Sequence, residues 1–378
     1  MVREPFESPG EGLMAEEASH TKVAVESAIL AALMRDIFQG LQVPVQEGAL
    51  VAEILLEASL AGYDSHGIMR IPMYAAGICS GTIVPGAGVE VLRETTASAL
   101  LDARAGLGQV AAVAAVDLAI EKATESGVGC VSIVNCNDVA RLGGYMVKPA
   151  EAGLMAIMSV NDAGHGPDVA PWGGVDPFLS TNPIAAGIPW RQQRAPVIID
   201  VSTSVSSVGV LKMLWNQGKP APEGWLVDEE GEPTVDADSF FDSPRRSALL
   251  PLGGQTAGHK GFALSLLVDV LAGALSGAGC STGKVRDVDR NGVFVLVIDP
   301  EKFSSRSRFE GIVGEFLDGL KKSRRAPGVE EILIPGERAH RERERRLREG
   351  IPVDAPTREK LDEILLELGF AEKYRSIW

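Results

Sequence analysis

The stretch DSHGIMR, residues 64–70, places an acid, a hydroxyl, an imidazole and a guanidinium within seven residues. It lies between segments of helical periodicity over residues 22–62 and 69–80. Because Arg70 follows His66 by four residues, both side chains fall on one face of a following helical turn. Such a face can offer a bidentate donor to a carboxylate beside an imidazole for proton transfer. A chance grouping at the start of a helix explains the stretch equally well.

Helical and extended patterns alternate around this stretch. An apolar, β-branched run over residues 128–135 predicts a buried strand, and residues 109–124 predict an alanine-rich helix before it. Further strands are predicted at residues 88–102, 154–160, 183–189, 197–201 and 292–298. Further helices are predicted at residues 141–151, 206–217 and 261–275. The last of these is apolar nearly all round, so we expect it to be central and buried.

These patterns predict an α/β protein in which both chain ends form a helical domain beside a sheet-rich domain. The predicted divisions are a leader over residues 1–20, an N-terminal helical part over 21–95, a sheet-rich domain over 96–310 and a C-terminal helical part over 311–378. The leader is acidic and rich in Gly, Pro and Ser, which is typical of a disordered segment and not of a signal peptide. The charged tail has a basic run over residues 338–348 that indicates a solvated helix face.

Composition excludes several classes of function. The formal charge of −15 argues against a nucleic-acid partner, since neutralising phosphates requires clustered cations. No apolar run is long enough to span a membrane, so we expect a cytoplasmic protein. The four cysteines form no CxxC pair, and the five histidines form no HExxH pattern. We therefore expect reduced thiols and no metal site.

A glycine pattern, GLGQVA at residues 106–111, matches the dinucleotide-binding fingerprint. It precedes a predicted helix, as that fingerprint does. However, Glu125, at the distance expected of the acidic ribose ligand, falls at the end of the helix and not at the end of a second strand. We favour a simple glycine turn at this position.

Three other segments place polar groups where chemistry is common. Residues 135–145, NCNDVARLGGY, follow a predicted buried strand, although Asn137 or Asp138 as a helix N-cap would explain them. Residues 199–204, IDVSTS, run from a strand into hydroxyls, and residues 258–261, GHKG, precede an apolar helix. Hydroxyls and cations before helices suit phosphate groups.

Taken together, these segments resemble the malate/L-lactate dehydrogenase family, which includes sulfolactate, ureidoglycolate and diketogulonate dehydrogenases and cyclic ketimine reductases. The resemblance covers roughly residues 22–370. Its matching stretches are SHGIMR (65–70), PWGG (171–174), STNP (180–183), DVSTS (200–204), PEGW (222–225), LPLGG (250–254), GHKG (258–261) and PGE (335–337). So many matches in order make the resemblance specific.

The resemblance implies a non-Rossmann fold, with a largely antiparallel or mixed sheet that binds NAD or NADP, in an obligate homodimer. It implies His66 and Asp138 as catalytic positions. The implied substrate pocket contains Ser65, Arg70 and Arg141, with Arg70 holding the carboxylate of a small-molecule substrate. The implied cofactor contacts are Asn161, Asp162, Asn182, Ile198, Asp200, Ser202, Thr203, Ser204, His259, Lys260, Gly336 and Glu337.

One position departs from the family pattern. Many members carry a histidine, often assigned as the general acid/base, where this chain has Asp138. An unperturbed aspartate is ionised at neutral pH, so as a proton donor it would need burial to raise its pKa. The expected function is hydride transfer between nicotinamide and a 2-hydroxy or 2-oxo acid, with His66 as proton donor. A cyclic ketimine reductase, whose cationic C=N suits Asp138, and a cofactor-binding protein with lost or altered catalysis are the alternatives.

Overall fold

The computed structural model describes residues 22–163, 166–190, 195–284 and 290–378. The leader predicted at residues 1–20 lies outside the described residues. Within the described ranges, no helix is both long enough and apolar enough to cross a membrane.

The chain folds into twelve strands and thirteen α-helices over the described residues. The strands are β1 (Val23–Val25), β2 (Glu90–Glu94), β3 (Ser98–Asp102), β4 (Val128–Cys136), β5 (Met155–Asp162), β6 (Ile184–Ile188), β7 (Val197–Val201), β8 (Leu226–Asp228), β9 (Pro233–Thr234), β10 (Ser247–Leu249), β11 (Asn291–Ile298) and β12 (Ile351–Val353). The helices are α1 (Ser27–Gly40), α2 (Val45–Leu60), α3 (Ile71–Ser80), α4 (Gly108–Ser126), α5 (Leu142–Tyr145), α6 (Val147–Glu151), α7 (Val208–Asn216), α8 (Ala237–Phe241), α9 (Gly254–Val268), α10 (Arg306–Lys321), α11 (Glu337–Glu349), α12 (Ala355–Glu367) and α13 (Ala371–Tyr374).

A seven-stranded mixed sheet forms the centre of the molecule, with strand order β2-β3-β4-β11-β5-β6-β7. Only β3 and β4 run parallel, and the other neighbouring pairs are antiparallel. Parallel neighbours need a crossover, which α4 supplies between β3 and β4. The predicted mixed α/β class is confirmed, and every strand predicted from an apolar run is present within a few residues of its expected position.

The glycine pattern at residues 106–111 lies in the turn from β3 into α4. Gly108 begins the helix, and a Cβ atom there would lie 2.2 Å from the Asn137 carbonyl oxygen. Leu107, Gly108 and Gln109 are all buried. The start of α4 is therefore packed against the backbone that carries Asp138, which leaves no room there for a pyrophosphate.

The two chain ends share one hydrophobic core. Helices α1, α2 and α3 contribute Leu33, Leu55 and Ile71 to it, and α12 contributes Leu361 and Leu365. Strands β1 and β12 also pair antiparallel and join the first residues described to the C-terminal part. The joint helical domain and its boundaries at residues 95 and 310 stay predictions.

A second, three-stranded sheet of order β10-β8-β9 was not predicted. It packs with α7 and α8 around Leu211, Leu226 and Phe240. Its strands are two or three residues long, which is too short for alternation of apolar and polar residues to be visible in the sequence.

The prediction that residues 261–275 form a central, buried helix is wrong for the single chain. The helix begins earlier, as α9, and continues as a π-helix over Asp269–Ala274. Small residues make up most of its inward face: Gly254, Gly258, Gly261, Ser265, Ala272 and Gly273. Its outward face carries Leu264, Leu266 and Leu267, which are 42%, 53% and 48% exposed. In the single chain, this apolar helix buries only the face that packs against the rest of the protein.

The basic run over residues 338–348 forms most of α11. Arg341, Arg343 and Arg345 make exposed ion pairs, in agreement with a solvated face. Arg346 departs from that prediction because it is buried and bonded within the protein. None of the four cysteines is in a disulfide; Cys136 is buried and Cys79 is exposed.

Candidate active site

The 64–70 turn, which contains Ser65, His66 and Arg70, consists of two single 3-10 turns separated by Gly67. A Cβ atom at Gly67 would lie 2.0 Å from Ser59 Oγ, so only glycine allows the turn to approach α2 this closely. Ser59 Oγ in return accepts a hydrogen bond from the Ile68 backbone N–H at 3.0 Å. The turn is thus fixed to the helical core.

Arg346 of α11 holds the other side of this turn. Its guanidinium donates to the Ser59 carbonyl oxygen at 2.7 Å and forms an ion pair with Asp64. Glu342, one helical turn earlier, pairs with the same guanidinium. The C-terminal part of the chain therefore positions the residue that directly precedes Ser65 and His66.

His66 lies among hydroxyl and cationic groups. Ser65 Oγ is 3.0 Å from His66 Nδ1, and Arg70 Nε donates to the Ser65 carbonyl oxygen at 2.9 Å. Gly209, at the start of α7, is the residue that lets this helix approach Ser65, since a Cβ atom there would lie 2.8 Å from Ser65 Cβ. The structure thus brings the three predicted residues of the 64–70 turn together.

Asp138 lies beside Arg70 and Tyr74. Tyr74 Oη donates to Asp138 Oδ1 at 2.5 Å, and the Ala140 N–H donates to the same oxygen at 3.1 Å. The other oxygen, Oδ2, lies 3.6 Å from Arg70 Nη1, and both side chains stay about a quarter exposed, at 24% and 26%. Ala140 has a φ of 60°, a left-handed conformation that costs an alanine about 1–2 kcal/mol. Such strain is common where a loop must direct a functional side chain.

The surrounding charges set the protonation of the two candidate catalytic groups. Burial lowers the pKa of His66 to about 4, and the cations Arg70 and Arg141 add to the lowering while Asp138 opposes it. Burial alone would raise the pKa of Asp138, but Arg70, the Tyr74 hydroxyl and His66 outweigh it and hold that pKa below its ordinary value. At neutral pH the site therefore contains a neutral imidazole and an ionised carboxylate.

Arg141 connects this group to β7. Its Nε lies 3.1 Å from Asp200 Oδ2, and its guanidinium stacks 4.1 Å from the centre of the Tyr63 ring. The Gly143 N–H donates to the same Asp200 oxygen at 2.9 Å. Asp200, expected to contact a cofactor, thus holds Arg141, expected to contact the substrate.

Most of the other predicted cofactor residues lie along β7 and the segments beside it. The Ile198 N–H donates to the Pro335 carbonyl oxygen at 3.1 Å, which brings Gly336 and Glu337 against the strand. Glu337 accepts from Lys321 and from the Ile334 N–H, and so holds its own turn.

The hydroxyl run that follows β7 is tied to its neighbours. Thr203 and Ser204 are buried and bonded to backbone carbonyls, while Ser202 is half-buried. The Thr203 carbonyl oxygen accepts from the Leu252 N–H at 2.8 Å, and Gly261 of α9 packs on Leu252. His259 and Lys260 lie exposed on α9, where His259 contacts the Trp172 ring.

Two of the predicted cofactor residues have a different role. Asn161 and Asn182 are fully buried, and both amide groups donate to the buried carboxylate of Asp269. Asn161 also donates to the Gly279 carbonyl oxygen. Their side chains hold the π-helix against the sheet and have no exposed surface for a ligand. Asp162, the next residue, lines a separate small depression with Phe178 and Lys284.

Three residues of the site were not predicted: Tyr63, Tyr74 and Gln109. Tyr74 lies four residues after Arg70 on the same helix face, so its position was readable from helical spacing. Gln109 lies inside the glycine pattern, which by itself gives no signal for a buried amide that bonds to a tyrosine. No group of three or more His, Cys, Asp or Glu side chains within the described ranges has the arrangement of a metal site.

Comparison with known proteins shows the family. The sequence model for "Malate/L-lactate dehydrogenase" matches residues 25–362. The chain belongs to this family of oxidoreductases. The resemblance read from the sequence is confirmed.

The relatives are named for several different reactions. The malate dehydrogenase of Pyrococcus horikoshii is 38% identical over 87% of this chain and 91% of its own length. Its solved structure superposes with a TM-score of 0.83 over 93% of this chain and 97% of that one, at 34% identity. The L-sulfolactate dehydrogenase of Methanothermobacter thermautotrophicus is 34% identical over 89% of this chain and 94% of its own. The delta1-piperideine-2-carboxylate reductase of Pseudomonas syringae superposes with a TM-score of 0.74 at 32% identity, over 90% and 99% of the two chains.

The Arg141–Asp200 pair gives a first prediction. Replacing Asp200 with Ala leaves a guanidinium that is 9% exposed without its carboxylate, which costs about 3 kcal/mol or more of folding free energy. Arg141→Met with Asp200→Leu should recover much of that loss, because neither charge then remains unpaired. Denaturant unfolding of both variants measures this, and equal losses in the two would contradict the pairing.

Proposed function

We propose that this protein is an NAD- or NADP-dependent dehydrogenase that transfers hydride between nicotinamide and a small 2-hydroxy or 2-oxo acid. The observation that carries the proposal is the imidazole of His66 in one cluster with Ser65 and the guanidinium of Arg70, with Arg141 near enough to lower the pKa of the imidazole. Such a group combines a proton acceptor with guanidinium groups that can donate hydrogen bonds to a substrate carboxylate. Membership of the dehydrogenase family and the named malate and sulfolactate dehydrogenases support it.

In this proposal Arg70 binds the substrate carboxylate, and Arg141 adds positive charge beside it. His66 accepts the hydroxyl proton as the substrate is oxidised, and its low pKa keeps it in the accepting form at neutral pH. In the reverse direction the bound carboxylate offsets the repulsion from the two cations and raises the proton affinity of His66. His66 then returns the proton to the oxygen.

A nicotinamide cofactor supplies the acceptor or donor of the hydride when it is bound. The end of β7 suits such an anionic molecule. Leu252, which bonds to Thr203 next to the half-buried Ser202, packs on Gly261 of α9, and the exposed residues His259 and Lys260 directly precede this glycine. We propose that these residues, with Ile198 and the turn at Gly336, hold the cofactor. The packed start of α4 supports a site here and not at the glycine pattern.

An imine reductase is the second candidate. Asp138 is an anion beside His66, and a cationic C=N group would be stabilised by it. The structural neighbour that reduces piperideine-2-carboxylate supports this candidate. A protein that binds the cofactor without turnover is the remaining alternative.

We also propose a homodimer. The outward face of α9 and of the π-helix exposes Leu264, Leu266, Leu267, Val270 and Leu275 side by side. A contiguous apolar surface of this kind marks an interface with another protein. A second copy is the occupant we favour, since the family resemblance implies a homodimer.

A substrate panel tests the reaction. Purified protein with NADH or NADPH is assayed by absorbance against pyruvate, oxaloacetate, sulfopyruvate and piperideine-2-carboxylate. We expect loss of absorbance with at least one of the three oxo acids. Turnover of the imine alone would replace the first candidate by the second. Cofactor binding by calorimetry without turnover of any compound would overturn both.

The charge environment of His66 predicts the pH dependence. With a pKa of about 4, His66 stays neutral as the pH falls from 7 to 5.5, so kcat/KM for oxidation of L-lactate or sulfolactate stays flat over this range. An unperturbed histidine would lose roughly tenfold there. His66→Gln should lower kcat/KM by about 10²–10⁴. A fall centred near pH 6.5 in the wild-type profile would contradict the arrangement.

Mutations on α9 test the homodimer. Leu264→Arg with Leu267→Asp places charges in the apolar face, and we expect a monomer by sedimentation velocity where the wild type is a dimer. Leu366→Asp is the matched control, since Leu366 is an exposed leucine of α12 outside this face. A wild-type monomer, or a dimer that both variants leave intact, would contradict the proposed interface.

A further inference from the structure

A chain of three hydrogen-bonding groups runs from the interior to Asp138. Gln109 Nε2 donates to Tyr74 Oη at 2.6 Å, and Tyr74 Oη donates to Asp138 Oδ1 at 2.5 Å. Gln109 and Tyr74 are 0% and 1% exposed, so no water competes for these bonds. Neither residue belongs to the set expected from the sequence.

The amide of Gln109 gives the chain its direction. An amide nitrogen can only donate, so Tyr74 Oη must accept from it, and its single proton then points to Asp138. The Gln109 carbonyl oxygen, Oε1, is buried and has no hydrogen-bond partner among the described residues. Turning the amide over would satisfy Oε1 with the Tyr74 proton, but it would take that proton away from Asp138. The structure has the first orientation, in which Gln109 donates to Tyr74 and Tyr74 donates to Asp138.

Both oxygens of Asp138 are consequently poor places for a proton. Oδ1 faces two donors, the Tyr74 hydroxyl and the Ala140 N–H. Oδ2 faces the guanidinium of Arg70 at 3.6 Å. The other ionisable groups that interact with the site are His66, Arg141 and Tyr145. His66 also lowers the pKa of Asp138, and burial opposes the lowering.

We propose that Gln109 and Tyr74 are positioning residues that keep Asp138 as a carboxylate, so that Asp138 serves as the fixed counter-ion of Arg70 and does not transfer the proton. This inference rests on the proposed function and assigns the proton transfer to His66 alone. It also assigns a role to the aspartate at a position where, by the family resemblance, many members carry a histidine. The carboxylate orients the guanidinium that meets the substrate.

The direct test measures the protonation of Asp138 without any substrate. In protein labelled with carboxyl-¹³C aspartate, the Asp138 signal is assigned by its loss in Asp138→Asn and followed by NMR as the pH is lowered. We expect the midpoint of Asp138 to rise by about one pH unit or more in Tyr74→Phe, since a donor to the charged form is lost. Gln109→Leu should raise it less, because the Tyr74 proton is then free to rotate.

Tyr145→Phe is the matched control. It removes another buried tyrosine hydroxyl near the site, whose hydrogen bond goes to the Val139 carbonyl oxygen at 2.6 Å and not to Asp138. We expect no rise of the Asp138 midpoint in this variant. An unchanged midpoint in Tyr74→Phe, or an equal rise in Tyr145→Phe, would overturn the inference.

A kinetic measurement separates positioning from a general loss of structure. In Tyr74→Phe, Asp138 is still ionised at pH 8, so kcat/KM should approach that of the wild type there and fall more than the wild type by pH 4.5, where the raised midpoint of Asp138 is reached. A structural defect would lower it equally at both pH values. If the wild type turns over no oxo or hydroxy acid, the proposed function fails, and the NMR titration still decides the inference.

Discussion

The buried ion pair between Arg346 and Asp64 connects the two ends of the chain at the point where the chemistry is placed. A guanidinium taken out of water is costly unless its donors are satisfied, and here Asp64, Glu342 and the Ser59 carbonyl oxygen together satisfy them. The shared core of α1–α3 and α12 brings these groups into range. Asp64 directly precedes Ser65 and His66. The position of the imidazole therefore depends on Arg346, which lies 282 residues after Asp64 in the sequence.

The site is built from charges that balance in pairs. Arg70 faces Asp138, and Arg141 faces Asp200. Together the two pairs place two cations, Arg70 and Arg141, and one anion, Asp138, near His66. The cations and burial lower the pKa of His66, and Asp138 raises it. The carboxylate of Asp138 therefore moves the local charge balance toward neutrality and partly offsets the lowering of the His66 pKa by the two cations.

Much of this arrangement could be read from the sequence, and the failures have physical causes. Local periodicity and the positions of glycines act within a few residues. They predict the 64–70 turn, the strands of the central sheet and α4. The family resemblance supplied Asp138 and β7 as parts of the site. The resemblance also implied Asn161 and Asn182 as cofactor contacts. Their actual partner, Asp269, lies about a hundred residues away, and no local pattern reveals it. Tyr74 and Gln109 meet for the same reason only in three dimensions.

Helix α9 reverses the usual distribution of residue sizes, with glycine and serine inward and leucine outward. Small inward residues let the helix lie close to the sheet, but they also mean that folding the single chain removes little of the apolar area of the helix from water. The free energy still available from that area is realised only when another surface covers it. In the proposed homodimer, chain folding and subunit assembly become one thermodynamic process, and the apparent stability rises with the protein concentration.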